Sequence, residues 1–323
     1  MARDWGCPMN TLRDAVEEYV SIRRGLGTEL RLPAAALRRF VDFLECEGSD
    51  FITTELALRW AQQPARCQPA TWADRLDVVR RFATWRSAID FRTEIPPRRI
   101  LPHRRRRNTP YIYTDEEIQQ LMGEASRLPS PTGLRALTYA TLFGLLATTG
   151  LRPGEGIALE VADVDLLGGV LAVRKTKFGK SRFVPIHHST REALADYSEQ
   201  RDRLCRRRPT KAFFVSERGT RLYQGIVAHT FAKVSRAIGL RPPTTGGRKG
   251  CGPRLMDLRH RFATRRLIDW YRAGLDVERE MPKLATYLGH IHVRHTYWYI
   301  EAVPELLQLA TNRLSERHQE VTS

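Results

Sequence analysis

The sequence predicts a mainly α-helical chain with a small antiparallel β-sheet, arranged as an N-terminal helical bundle followed by a mixed α+β domain. Three observations carry this expectation. Apolar residues recur at helical spacing through residues 11–95, as in Leu37, Phe40, Val41 and Leu44 at i, i+3, i+4 and i+7. The period shortens to that of strands in Gly169–Arg174 and Ser181–Ile186. Between the two regions, Ile95–Asn108 holds six arginines, three prolines and no acid. Prolines on this spacing make a continuous helix there unfavourable.

Taken in order, residues 1–95 form the first domain. Trp72, Leu76, Val79 and Ala83 repeat the apolar face, and Gly25-Leu26-Gly27 and Gly48-Ser49-Asp50 mark turns. About four helices are expected. Residues 96–112 read as an arginine-rich linker, with Arg98, Arg99, Arg104, Arg105, Arg106 and Arg107 lying along phosphates. The second domain, 113–323, opens at Thr114 with Glu117 three residues later, the pattern of a capping box. A more buried helix follows over 134–150. The two strands come next, joined by a lysine-rich hairpin, and further helices are expected at 190–206, 226–238, 259–272 and 304–314.

Charge restricts the partner. The 323-residue chain has 53 Lys and Arg against 36 Asp and Glu, a formal net charge of +17. Such an excess suits a polyanion, and nucleic acid first. No basic amphipathic helix or lipidation motif points to a membrane surface, and no apolar run approaches the ~20 residues of a membrane span. Met1-Ala2-Arg3-Asp4-Trp5 lacks an apolar signal core. The five cysteines are scattered and never form a CxxC pair, as in a reducing compartment. These features predict a cytoplasmic, nucleoid-associated protein. No cofactor or resident metal is expected. His290, His292 and His295 crowd together, but no nearby carboxylate or cysteine completes a ligand set.

Four separated motifs stand out. They are Thr149-Gly150-Leu151-Arg152-Pro153-Gly154-Glu155, then Lys175-Thr176-Lys177-Phe178-Gly179-Lys180-Ser181-Arg182, then Leu255-Met256-Asp257-Leu258-Arg259-His260, and finally Tyr287-Leu288-Gly289-His290 through Thr296-Tyr297-Trp298-Tyr299. In this order, and with His290 nine residues before Tyr299, they resemble the tyrosine recombinase (phage integrase) family over residues 113–315. The phrase around Tyr299 is similar to the branch found in bacterial integrases and transposon recombinases. The resemblance implies a SAM-like core-binding bundle ahead of a tyrosine-recombinase catalytic domain.

It also implies roles. Arg152 and Arg259 would clamp the scissile phosphate, Lys177 would protonate the leaving 5′-oxygen, His290 would hydrogen-bond the phosphate, and Tyr299 would be the nucleophile. Glu155 would brace the site. Lys175, Lys180 and Arg182 would contact the DNA backbone. Tyr297 is a rival nucleophile, but on a helix two residues two apart face different directions, and the interval from His290 selects Tyr299. Elementary chemistry agrees with this division of labour. Breaking a phosphodiester calls for cations on the non-bridging oxygens, an in-line nucleophile and an acid for the leaving group.

One position departs from the family. Where it usually has a histidine, three residues before the second arginine, this chain has Met256, and a thioether carries no proton. His260, next to Arg259, is the candidate substitute. The expected function is therefore site-specific recombination of duplex DNA through a 3′-phosphotyrosyl intermediate, in integration or excision of a mobile element. The expected partners are two DNA duplexes and a homo-tetramer, with room for related recombinases. An accessory DNA-binding protein with an impaired site, and relaxation of one duplex in the manner of a type IB topoisomerase, are the alternatives.

Overall fold

The computed structural model describes residues 11–28, 30–65, 67–102, 109–174, 181–205, 210–243 and 252–311. The chain divides into two compact units, Met1–Asn108 and Thr109–Ser323.

The first unit holds four helices: α1 (Leu12–Gly25), α2 (Arg31–Cys46), α3 (Thr54–Gln62) and α4 (Pro69–Arg86). Local chemistry sets their starts. Thr11 and Asp14 form a capping box on α1, the Thr53 side chain accepts from the Leu56 N–H, and Pro69 opens α4 where a missing N–H costs nothing. The apolar faces close over Leu37, Phe40, Trp60, Leu76 and Phe82, all fully buried. Each such side chain contributes about 1.5–3 kcal/mol relative to an exposed one. Part of the proline- and arginine-rich stretch folds back on this bundle. Arg80 donates to the carbonyls of Pro96 and Pro97, and Leu101 packs into the core. Arg98 and Arg99 stay exposed at the rim of a groove that also holds Arg23 and Arg81. Arg104 to Arg107 lie outside the described residues.

The second unit begins with α5 (Asp115–Ala125), whose Thr114–Glu117 capping box is formed. Next comes α6 (Leu134–Thr149), hydrophobic nearly all round and buried accordingly. A short helix, α7 (Pro153–Ala158), leads into a three-stranded antiparallel sheet of β1 (Val164–Asp165), β2 (Val170–Val173) and β3 (Arg182–Pro185), ordered β1-β2-β3. Leu171 pairs with Val164 on one side and Val184 on the other, and both Leu171 and Val184 are buried. Asp165 accepts the Leu167 and Gly168 N–H groups and Asp163 the Glu160 N–H, so both acids are used in turns, and Asp163 also pairs with Arg174. Helices α8 (His188–Leu204) and α9 (Gln224–Ala237) complete the main core around Phe143, Tyr197, Phe213 and Phe231.

Three further helices, α10 (Asp257–Arg272), α11 (Val277–Leu288) and α12 (Arg294–Ala302), share a separate apolar cluster that includes Leu267, Met281, Leu288, Tyr299 and Val303. No element is assigned to α11 from sequence alone, and the structure places Pro282, which removes a backbone donor, inside it. Asp276 caps its start, and the apolar face Val277, Met281, Leu284, Leu288 outweighs that loss. Residues 304–311 are helical. Leu306 packs into the same cluster on its own unit, while Leu307 stays exposed. No helix among the described residues is long and apolar enough to cross a membrane.

Gly150 joins these layers. It ends α6 at φ +61°, and a Cβ there would lie 2.5 Å from Cδ1 of Phe262 on α10. Gly150→Ala meets strain in both backbone and contact, and is expected to cost about 1–3 kcal/mol. Thermal unfolding checks this; an unchanged midpoint would contradict the packing described.

Candidate active site

The site is assembled where α11 ends. Gly289 takes φ +68° and stops the helix, leaving the last carbonyls without intrahelical donors. Three arginines from three elements supply them. Arg182 Nε on β3 donates to the Tyr287 carbonyl at 2.8 Å, Arg259 Nη2 on α10 to Leu288 at 2.6 Å, and Arg152 Nη2, at the start of α7, to Gly289 at 3.2 Å. Arg259 also donates from Nη1 to the Gly150 carbonyl at 2.9 Å. Arg259 is deeply buried, which lowers its pKa to about 10, still charged at neutrality.

Glu155 lies beneath. It accepts from the Arg152 N–H (3.0 Å) and Nη1 (2.7 Å), and from both terminal nitrogens of Arg182 (3.1 and 2.8 Å). Burial alone would raise this carboxyl. The hydrogen bonds and charge of Arg182, with those of Arg152, outweigh it and bring it down to about 2.

His290 follows the turn directly, and its backbone N–H closes on the Ala285 carbonyl at 2.9 Å. Its Nδ1 lies 2.7 Å from the hydroxyl of fully buried Thr296, which sets the ring plane. The ring stacks on Tyr299, with centroids 6.2 Å apart and planes at 19°. Burial first, then Arg259 and Arg152, push its pKa down to about 3, so near neutral pH it is an uncharged hydrogen-bonding group. Tyr299 is 2% exposed and Tyr297 39%, so α12 turns the former inward and the latter out. Burial raises the Tyr299 phenol, and the charges of Arg259 and Arg152 pull it back down.

Arg152, Arg259, His290 and Tyr299 thus lie together around the end of α11, with Glu155 held between Arg152 and Arg182. The comparisons with known proteins give the family. Residues 112–305 match the model described as "Phage integrase family". The "Putative integrase/recombinase y4rB" of Sinorhizobium fredii is 48% identical over 318 residues, covering 97% of this chain and all of the relative. The chain belongs to the phage integrase family. Membership brings a coarse activity with it, site-specific DNA recombination by breaking and rejoining.

Solved structures share the fold. The Tn1549 transposon integrase in complex with transposon right end DNA superposes with a TM-score of 0.61 at 15% identity, over 94% of this chain and 99% of that one. A lambda integrase tetramer bound to a Holliday junction gives 0.56 at 17% identity, over 90% and 82%.

Other residues singled out from sequence fall as follows. Lys175, Lys177 and Lys180 lie outside the described residues. Arg182, expected along the DNA backbone, differs. Its side chain is 11% exposed, and its fork is engaged by Glu155. Met256 is exposed just ahead of α10, and its carbonyl accepts the Arg259 N–H. His260 packs edge-on to Trp298 and at a tilt to Tyr299, with centroids 5.3 and 5.6 Å away. Its Nδ1 is buried without a partner among the described residues, and burial lowers its pKa to about 4 despite Asp257. A base this weak suits hydrogen bonding better than proton storage. Thr296 and the role of Gly289 escape a sequence reading. A buried threonine six residues after His290 carries no local signal, whereas the Leu-Gly pair before His290 does mark a helix end.

His260 and His290 both bind protons less readily folded than unfolded. The unfolded chain therefore takes up protons first, and stability is lost as pH falls from about 6.5 toward about 4 and 3 respectively. In the DNA-free protein, urea unfolding should show this loss already between about pH 7 and pH 5.5, where Asp and Glu scarcely titrate. A flat profile across that interval would refute it.

Proposed function

We propose that this chain cuts and rejoins duplex DNA through a 3′-phosphotyrosyl intermediate, in the movement of a mobile element. The observation that carries the reading is a buried tyrosine, Tyr299, that stacks on His290 and lies in the field of Arg259 and Arg152. The Tyr299 phenol gives its proton to water as its oxygen attacks the scissile phosphorus in line. The bond to the 5′-oxygen breaks, and that oxygen leaves as a 5′-hydroxyl after taking a proton, which Lys177 is expected to donate. Arg152 and Arg259 hold the non-bridging oxygens, where negative charge accumulates. His290, oriented by Thr296, adds a neutral hydrogen bond. The ester between DNA and protein retains the bond energy. A 5′-hydroxyl from a second duplex then attacks it in reverse and frees Tyr299.

The mobile-element role draws on the similarity to y4rB and to the Tn1549 integrase. Assembly as a tetramer on two duplexes draws on the lambda integrase assembly. The exposed Arg98 and Arg99 fit contacts to phosphates. Met256 favours a second reading, an accessory protein of the same fold whose cleavage is impaired.

A duplex carrying the DNA that flanks the gene, nicked near the cut site, separates the two readings. Wild type should accumulate a covalent protein–DNA adduct. Tyr299→Phe should form none, and Tyr297→Phe should retain it. Absence of adduct in wild type, or its persistence in Tyr299→Phe, would sink the recombinase reading. Met256→His should raise the rate of adduct formation by about tenfold or more, within the range of general acid–base catalysis. An unchanged or lower rate would show that the missing imidazole does not limit cleavage.

A further inference from the structure

Arg182 reaches the site from β3 but differs in kind from its neighbours. Nη1 and Nη2 donate to the two oxygens of Glu155, and Nε donates to the Tyr287 carbonyl. All three guanidinium nitrogens are engaged inside the protein. The side chain is 11% exposed, against 32% for Arg152. It also sits in a slot built for it. A Cβ on Gly289 would lie 2.7 Å from its Nη1 and 3.0 Å from its Cζ.

Glu155 gives this placement a consequence. A carboxylate binds one guanidinium best through two parallel bonds. Here Glu155 makes that fork with Arg182 and takes a single side-chain bond from Arg152, at 2.7 Å through Nη1. Arg152 Nη2 goes to the Gly289 carbonyl at 3.2 Å, a long bond to a neutral acceptor. Without Arg182, this buried anion would keep, among the described residues, the hydrogen bonds of Arg152 alone, and its second oxygen, which already accepts the Arg152 N–H, would be free to take the Arg152 side chain as well. A buried charge that loses a partner seeks another, because burial unpaired is costly.

We infer that Arg182 is a positioning residue which, by occupying Glu155, keeps that carboxylate from capturing Arg152 and so leaves Arg152 available to the phosphate. This rests on Arg152 being a phosphate ligand. It differs from a bracing role for Glu155 alone, because it assigns the pair opposite effects on one arginine. It also sets Arg182 apart from a DNA contact, because its fork is closed on a carboxylate that offsets its charge, whereas Arg259 donates to backbone carbonyls that do not.

The opposite effects make the test one of epistasis. Two readouts are taken on the full chain. One is single-turnover adduct formation on the nicked flanking duplex. The other is the rate at which phenylglyoxal, an arginine reagent, modifies Arg152 without DNA, read by peptide mass mapping. Arg182→Met should slow adduct formation by roughly a hundredfold, the scale of losing one oxyanion donor. Binding of the duplex should stay within about twofold, since no phosphate contact is removed. Arg152 modification should slow as well.

Adding Glu155→Gln to Arg182→Met removes the capturing charge. It should restore adduct formation by about tenfold or more over Arg182→Met and return Arg152 reactivity toward that of wild type. Arg182→Lys, which keeps the charge, should hold Arg152 near wild-type reactivity. A double variant no faster than Arg182→Met in both readouts would overturn the inference and leave Arg182 a plain structural brace. Weaker DNA binding with a salt slope reduced by about one in Arg182→Met would overturn it in favour of a phosphate contact. If Arg182→Met does not fold, Arg182→Gln, which also removes the charge but keeps a hydrogen-bond donor, with and without Glu155→Gln provides the same comparison. If wild type forms no Tyr299 adduct, the functional reading fails, while the Arg152 modification rates still decide about Arg182.

Discussion

The C-terminus of α11 is the point on which the catalytic unit depends. A helix end presents carbonyls without donors and the negative pole of the helix dipole. Here the carbonyls of Tyr287, Leu288 and Gly289 take one guanidinium each from β3, α10 and the start of α7. Arg152 and Arg182, 137 and 105 residues from their partners in sequence, are thereby tied to the same turn as Arg259 on the neighbouring helix. His290 leaves that same turn, so the cap that gathers the arginines also aims the imidazole. The second layer follows from the first. Phe262 on α10 stacks on Tyr287 with centroids 5.5 Å apart and fills the space that Gly150 leaves open, so α6, α10 and α11 share one contact.

This way of holding cations suits an anionic substrate. Carboxylates would fix the arginines more tightly but would also neutralise them. Backbone carbonyls orient a guanidinium while leaving its full charge in place. Among the described residues of the site, Glu155 is the one formal anion set against Arg152, Arg182 and Arg259, and it is paired mainly with Arg182. The site is left cationic in surroundings that screen charge poorly. The cost of burying these groups is visible in Arg259, whose pKa falls yet stays above neutrality. It is also visible in His260 and His290, which give up their charge altogether.

Much of this was legible in the sequence, for identifiable reasons. The helical faces around Leu37 and Leu76, the Thr114–Glu117 cap and the two longer strands depend on local chemistry, which spacing and residue type report. Motif order was enough to single out Arg152, Arg259, His290 and Tyr299, which the structure brings together around the end of α11. What was not legible depends on burial and on partners distant in the chain. In a sequence carrying +17, Arg182 on a basic hairpin reads like a phosphate contact. Only the fold shows its fork closed on Glu155 and its Nε on α11. Helix α11 went unassigned, and in it a local breaker, Pro282, is outweighed by a tertiary apolar face. Thr296 was hidden because nothing in its neighbourhood announces the imidazole above it.

The arrangement also bears on where activation of Tyr299 resides. Burial disfavours the phenolate, so in the free protein the phenol is held protonated. The nearest imidazoles do little to change that. His260 and His290 have depressed pKa values and are poor resting places for its proton. Arg259 acts in the other direction. The same burial that lowers its own pKa strengthens its attraction for a developing phenolate, and each group favours the charged form of the other. On the proposed chemistry, transition-state charge on Tyr299 would therefore be stabilised chiefly by a fixed cation. A fixed cation needs no protonation equilibrium of its own, so it would stabilise the phenolate even with Met256 in place, and an imidazole at that position would add what the cation lacks, a place for the proton.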